Sequence, residues 1–167
     1  YLHRALSKVL EMPPSHIRVI ATPNGGGFGG KSDPFSHEIV VARLSMLTGR
    51  PVKVCLTREE VFYSHRGRHP MRMHYRTGFA KDERLRAHDA RTLIDGGAYS
   101  SFGLVTTYYS GQLLSLPTAA KSYRFSSTRY FTNKPACGPK RGHGSVQPRF
   151  AFEVMLDRMA ERLKLDP

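Results

Sequence analysis

The segment Thr22–Asp33, TPNGGGFGGKSD, places the tightest limit on the fold. Five of its residues are glycine, and they surround a single phenylalanine, Phe28. Glycine fixed inside a helix or strand costs roughly 0.5–1 kcal/mol relative to alanine. Such a run is therefore the interior of neither. It serves where a backbone turns sharply or approaches another group closely. Amides in a loop of this kind can converge on an anion, and a following helix dipole reinforces the attraction.

The flanking patterns predict regular elements on both sides. Leu2, Ala5, Leu6, Val9 and Leu10 are spaced for one face of a helix over 2–11, ended by Pro13 and Pro14. IRVIA (17–21) and PVKVCL (51–56) read as short strands. Asp33 is placed to cap a second helix with Pro34 in its first turn, running to about Leu47 and stopped by Gly49. MRMHYRTGFA and LRAHDARTLIDGG alternate like the arms of an antiparallel hairpin around the turn KDER. Residues 99–117 are aromatic, hydroxyl-rich and read as irregular, and SYRFSSTRYF (122–131) reads as another strand. A last amphipathic helix covers about 146–164, with Phe152, Leu156, Met159 and Leu163 on one face. The predicted class is α+β (mixed α/β).

At 167 residues, 40% of them apolar, the chain is long enough for one domain with a real core. No apolar run approaches the roughly 20 residues that span a bilayer. Two cysteines, Cys55 and Cys137, make no CxxC pair, which argues against a disulfide scaffold or a zinc site and for a reducing, cytoplasmic compartment. The formal charge of +13 has two readings. One is a polyanionic partner, since basic residues cluster in HRGRHPMRMHYR and CGPKRGHG. The other is a piece of a longer chain whose acidic complement lies elsewhere, which the helical patterns at both ends also suggest. The glycine loop has its own alternative: Gly25, Gly30, Lys31 and Ser32 satisfy the phosphate-loop string GxxxxGKS.

A second loop, CGPKRGHGSVQPRFAFE, places Arg141 after Pro139 and between basic and glycine neighbours, just before the last helix. An arginine there can offer its planar fork to an oxyanion. His143, between Gly142 and Gly144, is a candidate for reaching a ligand.

Taken together the motifs resemble a known family. GGGFGGK, TGRPVKVCLTREEVFYSHRGRHP, LIDGGAYSS and RGHGSVQPRFAFE occur in the order found in the large molybdopterin-binding subunit of the xanthine dehydrogenase and aldehyde oxidase family. The run from GLVTTYYSGQLL to the arginine loop is similar to the 4-hydroxybenzoyl-CoA reductase branch. The resemblance implies that residues 1–167 are a single partial molybdenum-cofactor-binding domain of an oxidoreductase, inactive alone. It implies that Gly26, Gly27, Phe28, Gly29, Gly30, Arg141, Gly142 and Gly144 contact the molybdenum-molybdopterin cofactor, in cytosine dinucleotide or another form. It further implies that Phe28 approaches the metal through its backbone and that Arg141 stands beside it as the catalytic residue of this segment. Both loops are then expected to face one cofactor.

The departures bear on substrate. Ser32 stands where purine oxidisers of the family place a glutamate, Tyr109 falls where they hold a second arginine, and His143 takes the aromatic stacking position. Ser32, Tyr108, Tyr109 and His143 are thus the expected substrate contacts, and an aromatic or acyl-CoA substrate suits them better than xanthine. The family's catalytic glutamate and its upstream glutamine match nothing in this chain. The resemblance further implies iron–sulfur clusters and FAD on other domains or subunits, contact with the rest of its own polypeptide, no membrane span and no nucleic acid.

Overall fold

The computed structural model describes residues 1–82, 84–115 and 120–166. They fall into two compact units, Tyr1–His65 and Arg66–Pro167.

The first unit is helical. Helix α1 (Leu2–Val9) buries Leu6 and ends when Glu11 turns to φ +54°, just before the two prolines. A short 3-10 turn, Pro14–His16, follows. Helix α2 spans Ser36–Thr48, later than the Asp33 cap predicts. Its first turn is closed instead by Glu38, whose carboxylate accepts the Phe35 amide at 2.7 Å. Gly49 ends it at φ +64°, as expected of a left-handed stop. Helix α3 (Arg58–Ser64) has no apolar period, yet its start is written in TREE: Thr57 Oγ1 accepts the Glu60 amide at 3.2 Å, and Glu60 accepts the Thr57 amide at 2.7 Å. Residues 17–21 and 51–56 are not strands. Among the described residues neither finds a neighbour to pair with, and an unpaired run has no ladder to satisfy its backbone.

The second unit is a three-stranded sheet under two helices. Strands β1 (Met71–Phe79) and β2 (Leu85–Asp95) form the expected antiparallel hairpin, from Met71 opposite Ile94 to Phe79 opposite Leu85. Glu83 of its turn lies outside the described residues. Strand β3 (Ser122–Tyr130) pairs in parallel with β2, so the sheet order is β1-β2-β3. The connection from β2 to β3 carries helix α4 (Gly103–Ser115), where the sequence reads as irregular; of the rest of that tract, 99–102 form no regular element and 116–117 lie outside the described residues. The buried positions of α4 are Gly103, Thr106, Ser110, Gly111 and Leu114, a stripe at helical spacing made mostly of small residues. Small residues let the helix axis come close to the sheet: an added Cβ on Gly111 would stand 2.3 Å from the Phe125 ring. Helix α5 (Val146–Leu163) covers the rest of the inner face through Phe152, Met155 and Leu156.

His88 sits fully buried among the rings of Tyr75, Tyr123 and Phe152, with its Nδ1 2.9 Å from Thr77 Oγ1. The turn after β2 is clamped by Arg129, which donates to the carbonyls of Gly96 (2.9 Å) and Tyr99 (2.7 Å). A Cβ on Gly96 or Gly103 would stand 2.2 Å from the Arg129 side chain, so a larger residue at either would push the guanidinium from its place. On the outer sheet face Asp89 takes two bonds from Arg124 and one from Arg76. These guanidinium bonds hold its carboxyl well below the usual carboxylate range.

Candidate functional site

In the first unit, the glycine loop is held at both ends and open in the middle. Asn24 Oδ1 accepts the Gly26 amide at 2.8 Å, and the Gly30 amide returns to the Gly27 carbonyl at 2.7 Å. Between them, the amides of Gly27, Phe28 and Gly29 meet no acceptor among the described residues. Gly26 and Gly29 have φ +109° and +92°, and Phe28 is held at φ +52°. A bulky residue in the left-handed region costs about 1–2 kcal/mol, and such outliers gather where a ligand or metal is gripped. Successive amides in turns of this kind make a concave anion-binding surface. The Phe28 side chain is 61% exposed and folds back over Gly26, so it is no core plug.

Gly30 is buried for a different reason. The His65 ring lies where its Cβ would be, and His65 Nε2 is 2.9 Å from the Gly30 carbonyl. His65 in turn packs on Phe35, at 5.2 Å between ring centres. Ser32 is half-buried, its amide 3.4 Å from the Gly29 carbonyl. The loop does not open directly into a helix, since α2 begins only at Ser36, and this removes the strand–loop–helix setting that a phosphate loop needs.

In the second unit, the Arg141 loop enters α5. Gly142 (φ +70°) and Gly144 (φ +77°) both turn left-handed. Gly144 lies against α4: a Cβ there would stand 3.0 Å from the Thr106 carbonyl and from Tyr109 Cβ. The Gly142 carbonyl receives the amides of Ser145 (3.1 Å) and Val146 (3.3 Å) and so starts the helix. Arg141 is exposed. Its carbonyl accepts from Arg68 at 2.6 Å, and Arg68 also reaches the Gly142 carbonyl at 3.4 Å. The His143 ring is tied down, with Nε2 2.7 Å from Thr106 Oγ1 and 3.2 Å from the Phe102 carbonyl. Tyr108 and Tyr109 meet edge to face at 5.2 Å on α4. Tyr109, Leu113, Val146 and Phe150 wall an open, mostly apolar groove of about 490 Å³.

Behind this loop lies His69, 2% exposed, whose ring meets His143 edge-on at 5.7 Å. Burial, then the electrostatic influence of the neighbouring His143 and Arg129, push its pKa down to about 4 against a smaller opposing pull from Asp95. Its Nε2 has no hydrogen-bond partner among the described residues. Sequence reading places Arg68 and His69 only in a basic cluster, with no link to Arg141.

Each loop by itself suits a group that presents oxygens or negative charge: the glycine loop of the first unit through unpaired amides and a Cβ-free approach, the arginine loop of the second through an exposed guanidinium. Among the described residues no set of histidine, cysteine, aspartate or glutamate is placed to hold a metal ion by side chains.

Comparison with known proteins agrees with that chemistry. The family model described as "Molybdopterin cofactor-binding domain" matches residues 1–167. The xanthine dehydrogenase molybdenum-binding subunit of Escherichia coli O157:H7 is 37% identical over 99% of this chain, which spans 22% of that subunit. The solved aldehyde oxidoreductase of Desulfovibrio gigas superposes with a TM-score of 0.92 at 31% identity, over 99% of this chain and 18% of that one. Quinoline 2-oxidoreductase of Pseudomonas putida 86 gives 0.87 at 28% identity, over 99% of this chain and 22% of that one. The chain therefore spans about a fifth of the length of these relatives. The match supports the cofactor-binding family and neither the nucleotide-binding nor the nucleic-acid reading. The chain belongs to the molybdopterin cofactor-binding domain family of the molybdenum oxidoreductases.

Proposed function

We propose that this chain is the part of a molybdenum hydroxylase subunit that grips the cofactor and orients the substrate of a two-electron reaction. The observation that carries the reading is the glycine turn, in which the amides of Gly27, Phe28 and Gly29 are left without acceptors in a chain that matches a cofactor-binding domain end to end. When bound, molybdenum-molybdopterin supplies the redox chemistry. The protein's share is positional and electrostatic. Gly26–Gly30 donate amides at close range, Gly142 and Gly144 shape the second loop, and Arg141 offsets negative charge that develops during the reaction. The cytosine dinucleotide form of the pterin, iron–sulfur and flavin partners that relay electrons, and a cytoplasmic setting belong to the same proposal.

The proposed substrate is an aromatic ring or aromatic acyl thioester, as in 4-hydroxybenzoyl-CoA reductase, with Ser32, Tyr108, Tyr109 and His143 in contact. Support comes from the groove beside Tyr109 and from a relative named for quinoline. Ser32 and Tyr109 also remove two charge-assisted contacts that a purine would use, each commonly worth about 1.5–3 kcal/mol. Discrimination against xanthine by roughly two orders of magnitude follows. The test is steady-state turnover of the intact protein that carries this chain with xanthine, benzaldehydes and 4-hydroxybenzoyl-CoA, using a viologen dye as electron carrier. A specificity constant highest for xanthine would remove the substrate assignment, and the absence of molybdenum from the purified protein would remove the cofactor assignment as well.

A further inference from the structure

The basic segment His65–Pro70 takes no part in the function proposed above, yet its residues from Arg66 onward run along the arginine loop. Gly67 bridges to Cys137 in parallel, and the Gly138 amide donates to the Gly67 carbonyl at 3.0 Å. Gly138 is needed for this approach, since a Cβ there would stand 2.6 Å from the Arg66 side chain. Arg68 then spreads its two terminal nitrogens over consecutive carbonyls, those of Arg141 and Gly142. The next residue, His69, accepts the Gln147 side-chain amide on its carbonyl at 2.6 Å and sets its ring against His143.

We infer that Arg68 is a positioning residue, whose guanidinium fixes the backbone from which Arg141 emerges while His69 braces the far side of the same loop. The geometry asks for arginine specifically. A planar fork spans two carbonyls at once, whereas a lysine ammonium is a point donor on a flexible stem. The Gly142 carbonyl held by Arg68 is also the acceptor for the Ser145 and Val146 amides, so the contact ties the loop to the first turn of α5. Arg68 further adds a second positive charge beside Arg141 without occupying its side chain. The hold on the loop stands by itself; its effect on catalysis rests on the role proposed for Arg141.

Amide hydrogen exchange in the intact protein that carries this chain separates the two. Arg68→Ala is expected to speed exchange at Ser145 and Val146 about tenfold or more, as loss of a charged hydrogen bond allows. Peptides from β1 and β2 should exchange as before. Arg68→Lys keeps the charge but not the fork and should behave like Arg68→Ala; it also serves if the alanine variant fails to fold. With the loop loosened, kcat should fall while KM and molybdenum content hold. Unchanged exchange at Ser145 and Val146 in Arg68→Ala, or full recovery in Arg68→Lys, overturns the inference. Faster exchange with kcat intact upholds the hold on the loop and instead overturns the role given to Arg141.

Discussion

Replacing Gly111 by alanine sets helix propensity against packing, and the structure decides which wins. Propensity favours the change, since alanine in a helix interior is better than glycine by about 1 kcal/mol. Gly111 sits in α4 against β3, however, and the new Cβ would fall 2.3–2.4 Å from three carbons of the Phe125 ring. Either the ring leaves its place or α4 lifts from the sheet, and overpacking of this kind costs about 1–3 kcal/mol. Lifting α4 also stretches the bond from the Tyr123 hydroxyl to the Gly111 carbonyl, now 2.9 Å, worth about 1 kcal/mol. The balance is a loss of about 1–3 kcal/mol. Urea unfolding of the chain followed by circular dichroism measures it as a lowered midpoint at constant slope. On a Phe125→Leu background the obstructing ring is absent, and the same substitution should become neutral or stabilising by up to about 1 kcal/mol. A raised midpoint in the single variant, or an equal loss in both backgrounds, refutes the packing argument.

Stability should fall on mild acidification. The fold holds His69 and His88 neutral by burial, so stability is full above pH 6.5 and is lost as pH drops toward 4, by up to about 3 kcal/mol for His69; equal urea midpoints at pH 7.5 and 4.5 would contradict this. In the intact enzyme, Arg141→Ala should retain molybdenum and lose roughly a hundredfold in kcat, about 3 kcal/mol, as one charge-stabilising donor is often worth; unchanged kinetics would return Arg141 to a solvated turn. Gly144→Ala should cost about 2–4 kcal/mol, because φ is +77° and its Cβ meets α4 at 3.0 Å; a thermal midpoint within one degree of the parent's would contradict the strain argument. Arg129→Ala should release the turn after β2, seen as faster amide exchange at Gly96 and Gly103, and protection equal to wild type there would show that the guanidinium does not hold it.

What the sequence reveals depends on how local the cause is. The hairpin is legible because Met71, Met73, Tyr75 and Thr77 alternate with Arg72, His74 and Arg76, and a strict two-residue period leaves few alternatives. Helix α4 is hidden because its buried stripe is small rather than apolar, while Leu104 and Tyr108 face outward. Hydrophobic periodicity has nothing to detect there; closeness of approach, not oiliness, selects the residues. IRVIA and PVKVCL show the converse. Their composition favours strands, but a strand is a property of a pair. The two loops are legible as motifs, down to Arg141 and the glycines. Arg68 is not, because it acts on carbonyls 73 and 74 positions away and leaves no local signature.

The parallel pairing of β2 with β3 has a consequence in time. The hairpin contacts join residues as close as Phe79 and Leu85, whereas each β2–β3 pair, from Ala87 with Ser122 to Asp95 with Tyr130, links positions 35 apart (122 minus 87). Closing the longer loop costs more entropy and returns nothing until α4 has formed across it. The hairpin therefore zips first, and the second edge of β2 waits for a strand made later. During that wait β2 offers unpaired amides on one side and Ala90, Thr92 and Ile94 on its uncovered face. This interval is when a nascent chain is most exposed to pairing with the wrong strand, and the rate at which α4 docks sets how long it lasts.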